Sequence, residues 1–399
     1  MKWFGRKAAR GTGRPFLFSG WRHVFAAEPW PRSYEAQVRE AYLANPIAQR
    51  AVRLVAESVA WAPVYSHQSG PSIRGKKGKG EAPPPHLARS PSPANAGEDL
   101  VGLVPPGLLE AIASQLLLHG NAFVQVLADA EGAPAELFAL RPERVSVEAD
   151  ASGWPAAYLY KVGEAKTRLP ARDGLGRPSL VHLKAHHPLD DHYGLGCLGA
   201  AAGAVAVHNA AAKWNKALLD NAARPSGALV HDPGEGEGLS AEQFERLKAE
   251  LEAQFSGSEN AGRPLLLDGG LKWQAMSLTP ADMDFTGLKA AAAREIALAF
   301  GVPPMLLGLP GDSTYANYRE ANRALWRLTV LPMAERILSA VSGGLAAWWP
   351  GCRLAVDIDQ VTALAEDRER LWAQVSAADF LSAEEKREML GFGPAGGAR

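Results

Sequence analysis

The sequence predicts an α+β fold, on three observations. First, 47% of its 399 residues are hydrophobic, enough to bury a sizeable core and to exclude wholesale disorder. Second, apolar residues recur at helical spacing, as at Ile47, Val52, Val55 and Val59. Third, residues 122–184 read as short strands separated by turns, an antiparallel meander set among helices. The length gives room for roughly two to three domains. With 42 basic against 43 acidic residues the net charge is −1, which argues against a protein that grips nucleic acid over most of its surface. Two cysteines, Cys197 and Cys352, exclude a disulfide scaffold and a four-cysteine zinc site and fit a reducing cytoplasm.

Residues 1–24 carry Lys2, Arg6, Lys7, Arg10, Arg14 and Arg22 before the first acid, Glu28. They read as a solvated tail, with a nucleic-acid arm as the alternative, and lack the apolar core of a signal peptide. Ser33 caps a first helix reaching about Leu43, and Asn45-Pro46 starts a second with Arg50, Arg53 and Glu57 off its apolar stripe. Trp61–Tyr65 reads as a short strand. Ser66 to Glu98 is rich in Gly, Pro, Ser and Lys. It cannot bury enough surface to offset its ordering entropy, so it reads as a disordered insertion within a domain.

Leu109, Ile112, Leu116 and Leu117 then give a helical face that stops at Gly120. Strands follow at 122–127, 136–140, 144–148, 156–162 and 179–184, with turns at Glu131-Gly132, Arg141-Pro142 and Ser152-Gly153. The Ala/Gly-rich helix from about Cys197 to Asn221 can approach a neighbour closely. Next come a strand, Gly227–His231, and a helix, 241–255, with Ser240 and Gln243 as its capping box. The unit closes with a hairpin of 264–267 and 271–276 about Gly269-Gly270.

Thr279-Pro280 opens a helix that ends at Gly301 before Pro303-Pro304. A flexible loop from Gly308 to Thr314 feeds a long helix from Tyr315 to about Ser342. Within it Pro332 removes one backbone hydrogen bond and should kink the axis. A strand at 353–358 and two helices end the chain, the last capped by Ser382 and Glu385. The small-apolar run 196–207 is too short for a membrane span.

Catalytic signatures are weak. Gly70, Gly75 and Lys76 resemble a phosphate-binding loop, but Lys77 stands where Ser or Thr must reach magnesium. Gly194, Gly196 and Gly199 match a dinucleotide fingerprint without directly following a strand. His186, His187, Asp190, Asp191 and His192 offer ligand types at no standard spacing and read as a solvated loop. No catalytic residue, metal or cofactor is expected. From spacing alone the 311–318 segment reads as a helix cap with surface aromatics.

The order of several segments carries a resemblance. It runs through Asn45-Pro46-Ile47, residues 117–124 (LLHGNAFV), residues 140–145 (LRPERV) and Gly194-Leu195-Gly196. It continues in residues 221–227 (NAARPSG), residues 300–308 (FGVPPMLLG), Tyr315-Ala316-Asn317-Tyr318 and residues 381–387 (LSAEEKR). This series resembles the phage portal proteins, the head-to-tail connectors of tailed double-stranded DNA phages, across residues 35–393.

The resemblance implies an α+β, ring-forming subunit, commonly one of twelve, at one capsid vertex. Residues 1–24 would be a flexible tail, and 25–196 with 315–360 a wing. Residues 197–222 and 279–302 would form the stem, 223–278 the clip, 303–314 the tunnel-loop region and 361–399 a short crown-like end. Leu309, Pro310, Gly311, Asp312, Ser313 and Thr314 would line the DNA tunnel. Asp232, Glu235, Glu237, Glu242, Glu245 and Arg246 would dock partners, and Pro332 would kink the long wing helix. The implied partners are further copies of the chain, double-stranded DNA, the major capsid protein, the large terminase ATPase and a head–tail adaptor, with no membrane. The implied place is the virion, after assembly in the host cytoplasm. Abundant alanine and arginine would suit a gene transfer agent or prophage of a GC-rich bacterium. The alternatives are a nucleotide-dependent enzyme using the Gly194 motif and a helical scaffold associating through its Ala/Gly face.

Overall fold

The computed structural model describes residues 31, 33–68, 96–220, 227–231, 240, 242–247, 249, 271–275, 284–309 and 315–390. Helix α1 (Tyr34–Val38) is capped by Ser33, whose Oγ accepts from the Ala36 N–H at 3.3 Å. It continues as a π-turn, Arg39–Leu43. Helix α2 (Pro46–Ala60) starts as the sequence predicts. Asn45 Oδ1 accepts from the Ile47 and Ala48 N–H groups, both at 3.0 Å, and Pro46 sits where no N–H is needed. Val52, Val55 and Val59 are fully buried, while Arg53 pairs with Glu57 at 2.6 Å on the outer face.

Strand β1 is Val64–Gln68, three residues later than expected, so residues 66–68 belong to a strand rather than to the insertion. Helix α3 is Ala96–Gly102, so residues 96–98 are helical, which corrects the other end of the 66–98 segment. The near phosphate-binding loop lies outside the described residues. Helix α4 (Pro106–Leu118) buries Leu109, Ile112 and Leu116.

The strands are β2 (Asn121–Ala128), β3 (Pro134–Leu140), β4 (Val145–Ala149), β5 (Pro155–Val162), β6 (Ala165–Pro170) and β7 (Leu180–Lys184). They form two antiparallel sheets, ordered β3-β2-β7 and β4-β5-β6, instead of one meander. Strand β6 was not anticipated because its residues, AKTRLP, show no apolar alternation. Phe123, Leu140, Val145, Tyr158 and Leu180 make a small core between the sheets.

Helix α5 (Leu198–Asp220) leads to β8 (Gly227–His231), which pairs antiparallel with β9 (Leu271–Ala275). The expected strand at 264–267 lies outside the described residues. Helix α6 (Phe285–Ala299) is capped by Asp284, five residues past the expected Thr279. The predicted long helix is α7 (Tyr315–Leu325), a π-turn (Trp326–Val330) and α8 (Leu331–Gly344). Strand β10 (Cys352–Val356) begins and ends earlier than the predicted 353–358. Helices α9 (Ala365–Ala377) and α10 (Ala383–Met389) follow.

The main core joins α2, α3, α4 and α8 to β1, β2 and β10. Strands β1 and β10 pair antiparallel, Val64 opposite Val356, so segments from opposite ends of the described chain close one core. Ile112, Ile296, Ile337 and Leu338 are at most 1% exposed, each contributing on the order of 1.5–3 kcal/mol by burial.

Candidate functional site

The helix pair α5–α6 is held to the core at two places, the end of α4 and the Asn45 side chain. Helix α4 ends at Gly120, in the left-handed region at φ +82°. A Cβ there would meet Leu195 C at 2.4 Å, and one on Gly194 would meet Gly120 O at 2.1 Å. Ala185 N donates to Gly120 O and Cys197 N to Leu117 O, both at 2.8 Å. The Gly194 motif is therefore a splice between the end of α4 and the start of α5. The backbone surface a phosphate would need is covered by Gly120 and Leu118.

Asn121 locks this splice. Its Oδ1 accepts from Gly194 N at 2.7 Å and its Nδ2 donates to Gly194 O at 3.2 Å. His182 Nε2 lies 3.2 Å from the same Oδ1, which assigns Nε2 as a donor. Burial, with smaller contributions from Lys184, His119 and His192, pushes the His182 pKa down to about 4, so the ring is neutral at pH 7. His119 Nδ1 lies 3.1 Å from Asn121 Nδ2, and its ring meets Tyr34 edge-on at 4.6 Å. In the neighbouring 186–192 loop, Asp190 Oδ1 accepts from His192 N at 2.7 Å and Tyr193 N at 2.9 Å. Among the described residues no three metal-ligating side chains converge.

Helices α5 and α6 pack on one another, burying Ala201, Ala204, Val205 and Ala211 on one side and Ala292, Ala293, Ile296 and Ala297 on the other. Small side chains permit that close approach. The Trp214 and Phe285 rings stack at 6.2 Å near the β8–β9 end. A buried polar chain ties α5 to the first helices. Asn45 Nδ2 donates to Asn209 Oδ1 at 2.8 Å, and Asn209 Nδ2 donates to Glu40 O at 3.0 Å and Glu40 Oε1 at 2.9 Å. His208 Nδ1 is 3.2 Å from Asn45 Nδ2, and burial, then the Lys289 charge, lowers its pKa.

Of the residues singled out in the sequence, Leu309 is half-buried after a 3-10 turn, Pro304–Leu307, and Gly308. Residues Pro310, Gly311, Asp312, Ser313 and Thr314 lie outside the described residues, as do Asp232, Glu235 and Glu237. Glu242, Glu245 and Arg246 are exposed on helical residues 242–247. Their capping box is formed: Ser240 N donates to Gln243 Oε1 at 2.9 Å, and Gln243 N to Ser240 Oγ at 3.3 Å. Pro332 lies in the first turn of α8, directly after the π-turn, where the Leu331 N–H reaches back to Trp326 O.

Arg323 had no signature in the sequence. It is 8% exposed on α7 and holds Glu366 at 2.5 Å and Glu320 at 2.8 Å. Arg319 also meets Glu366, at 2.5 Å. The two pairs with Glu366 fix α9 onto the helix that follows residues 310–314, and hydrogen bonding to Arg323 lowers the Glu366 pKa. No local spacing signals ion pairs between charges so far apart in sequence. Among the described residues no helix is long and apolar enough to cross a membrane.

The sequence profile of the family described as phage portal protein matches residues 46–391. The chain belongs to the phage portal protein family. This portal is 43% identical, over 89% of its length and 88% of the relative's, to an uncharacterized protein of Rickettsia felis. It is 27% identical to a probable portal protein of Streptomyces phage phiC31, over 72% of this chain and 60% of that one. Among solved structures, a chain in the neck of a native gene transfer agent particle, computed with C12 symmetry, matches with a TM-score of 0.64. That match has 44% identity and covers 92% of this portal and 95% of that chain. The portal is a structural component of the capsid vertex.

Proposed function

We propose that this portal assembles into a closed ring of twelve copies in a virion or gene transfer agent particle. The observation that carries this is the likeness to the particle-neck chain with C12 symmetry over nearly its whole length. In this reading α5 and α6 form the stem, β8, β9 and residues 240–249 belong to the clip, and the remaining core is the wing. A head-to-tail interface closes only if its rotation permits, and an obligate one buries above about 2,000 Å².

The clip residues Asp232, Glu235, Glu237, Glu242, Glu245 and Arg246 are proposed to face a terminase ATPase and, later, a head–tail adaptor. The wing is proposed to face the major capsid protein, with assembly in the host cytoplasm. The chain conducts DNA and a separate ATPase supplies the work. Near-neutral net charge, −1, supports conduction, because each neutralised phosphate adds salt-dependent grip.

Leu309, Pro310, Gly311, Asp312, Ser313 and Thr314 are proposed as the tunnel loop. They carry no Lys or Arg, as sliding contact requires. Mass photometry of the purified chain tests the ring: a closed oligomer is expected, and a persistent monomer that never enters particles defeats it. Replacing Pro310–Ser313 with one Gly should leave rings intact and lower the fraction of DNA-filled particles. Filling equal to wild type removes the loop's role.

A further inference from the structure

Helices α9 and α10 are thinly covered. They pack on each other and on two short turns, Ile358–Gln360 and Thr362–Leu364, with the Arg319 and Arg323 pairs holding the start of α9. Among the described residues of 365–390, Val375 alone is buried. Phe380 is 86% exposed, Met389 55% and Trp372 42%. The same stretch carries seven carboxylates against four cations. With Glu366 and Asp367 facing Arg319, Arg323 and Arg327, and Arg368 facing Asp359, five carboxylates remain against three cations, and Glu369, Asp379 and Glu384 are exposed. It is an acidic surface with large apolar side chains standing out of it, which marks a protein-binding face.

The complementary chemistry lies in the same chain. Residues 1–30 hold six basic residues against one acid, Glu28, and seven large aromatics, among them Phe16, Phe18, Trp21 and Phe25. Thirty extended residues reach up to about 100 Å, so distance from Pro31 sets no obstacle. A second copy's α9–α10 would bring like charges together and is disfavoured.

We propose that residues 1–30 dock on the α9–α10 face. Their aromatics cover Phe380 and Met389, and their Lys and Arg side chains face Glu369, Asp379 and Glu384. The same segment could instead hold DNA, and the experiment separates the two.

Hydrogen exchange is compared in the full chain, a variant lacking residues 2–28, and the full chain with Asp379→Lys and Glu384→Lys. Amides of 365–390 should exchange about tenfold faster in both variants, as for loss of a bound state. A carbodiimide, which condenses an amine and a carboxylate to an amide with loss of water, should join Lys2 or Lys7 to Asp379 or Glu384. High salt should suppress the link. Unchanged exchange in both variants, or links from Lys2 and Lys7 solely to other carboxylates, overturns the proposal. So does protection of residues 1–30 by added double-stranded DNA in the full chain with 365–390 already exchanging at the variants' rate.

Discussion

One amide, that of Asn121 at the start of strand β2, serves the Gly194 backbone and the His182 ring together. His182 has its folded pKa near 4, below its ordinary 6.5. The unfolded chain therefore takes up the proton first, and the stabilisation is full above about pH 6.5 and lost as pH falls toward 4. His182→Gln keeps a donor for Asn121 and removes the titration. The urea midpoint of wild type should drop more between pH 7 and pH 5 than that of the variant, and equal drops would assign the effect elsewhere. Gly194→Ala would place a methyl 2.1 Å from Gly120 O. That backbone has nowhere to move, so a loss of about 3 kcal/mol is expected, read as a lower unfolding midpoint. The residues of this splice stood in the sequence as HGN and GLG, and their order carried the family resemblance. Their partnership did not show, because hydrogen bonds between residues 121 and 194 leave no local pattern.

Elements with local causes were legible. The Asn45-Pro46 start of α2, the capping boxes at Ser240 and Ser382, and the Gly120 and Gly301 stops all follow from neighbouring residues. Elements fixed by distant partners were not. Strand β7 returns to β2 across four intervening strands, and β6 holds its place through pairing with β5 rather than through its own pattern. The π-turn at Trp326–Val330 lies between these cases. Pro332 supplies a local reason, since its missing N–H leaves the Leu328 carbonyl without its usual donor. Another π-turn, Arg39–Leu43, forms with no proline in it. Pro332→Ala restores the N–H, and an electron-microscopy structure of the variant should show an unbroken α-helix through 326–336. A π-turn that persists would place its cause in the packing of Val330, which is fully buried.

At the scale of the molecule, a conduit needs a rigid core and a helix pair fixed to it, and the Asn45–Asn209–Glu40 chain supplies one such attachment. Fold class and family were readable from segment order, whereas the contacts between copies depend on surfaces that only folding brings together. The pairing of β1 with β10 also sets a schedule for synthesis. A ribosome delivers Val64 long before Val356, and contacts of such separation form slowly and late. Through most of translation the growing chain therefore carries β1 unpaired, with the apolar surface that will cover Cys352, Leu354 and Val356 still open, and chaperones must shield it and proteases can find it. Chains released before Cys352 cannot seal it and should be degraded before they reach a ring. A chain ending at Trp349 should stay protease-sensitive in limited digestion, while one ending at Ala377 should resist. Equal resistance would show that this surface closes without its last strand. The late strand thus acts as a completeness check, keeping subunits with missing ends from poisoning a ring in which every copy must fit.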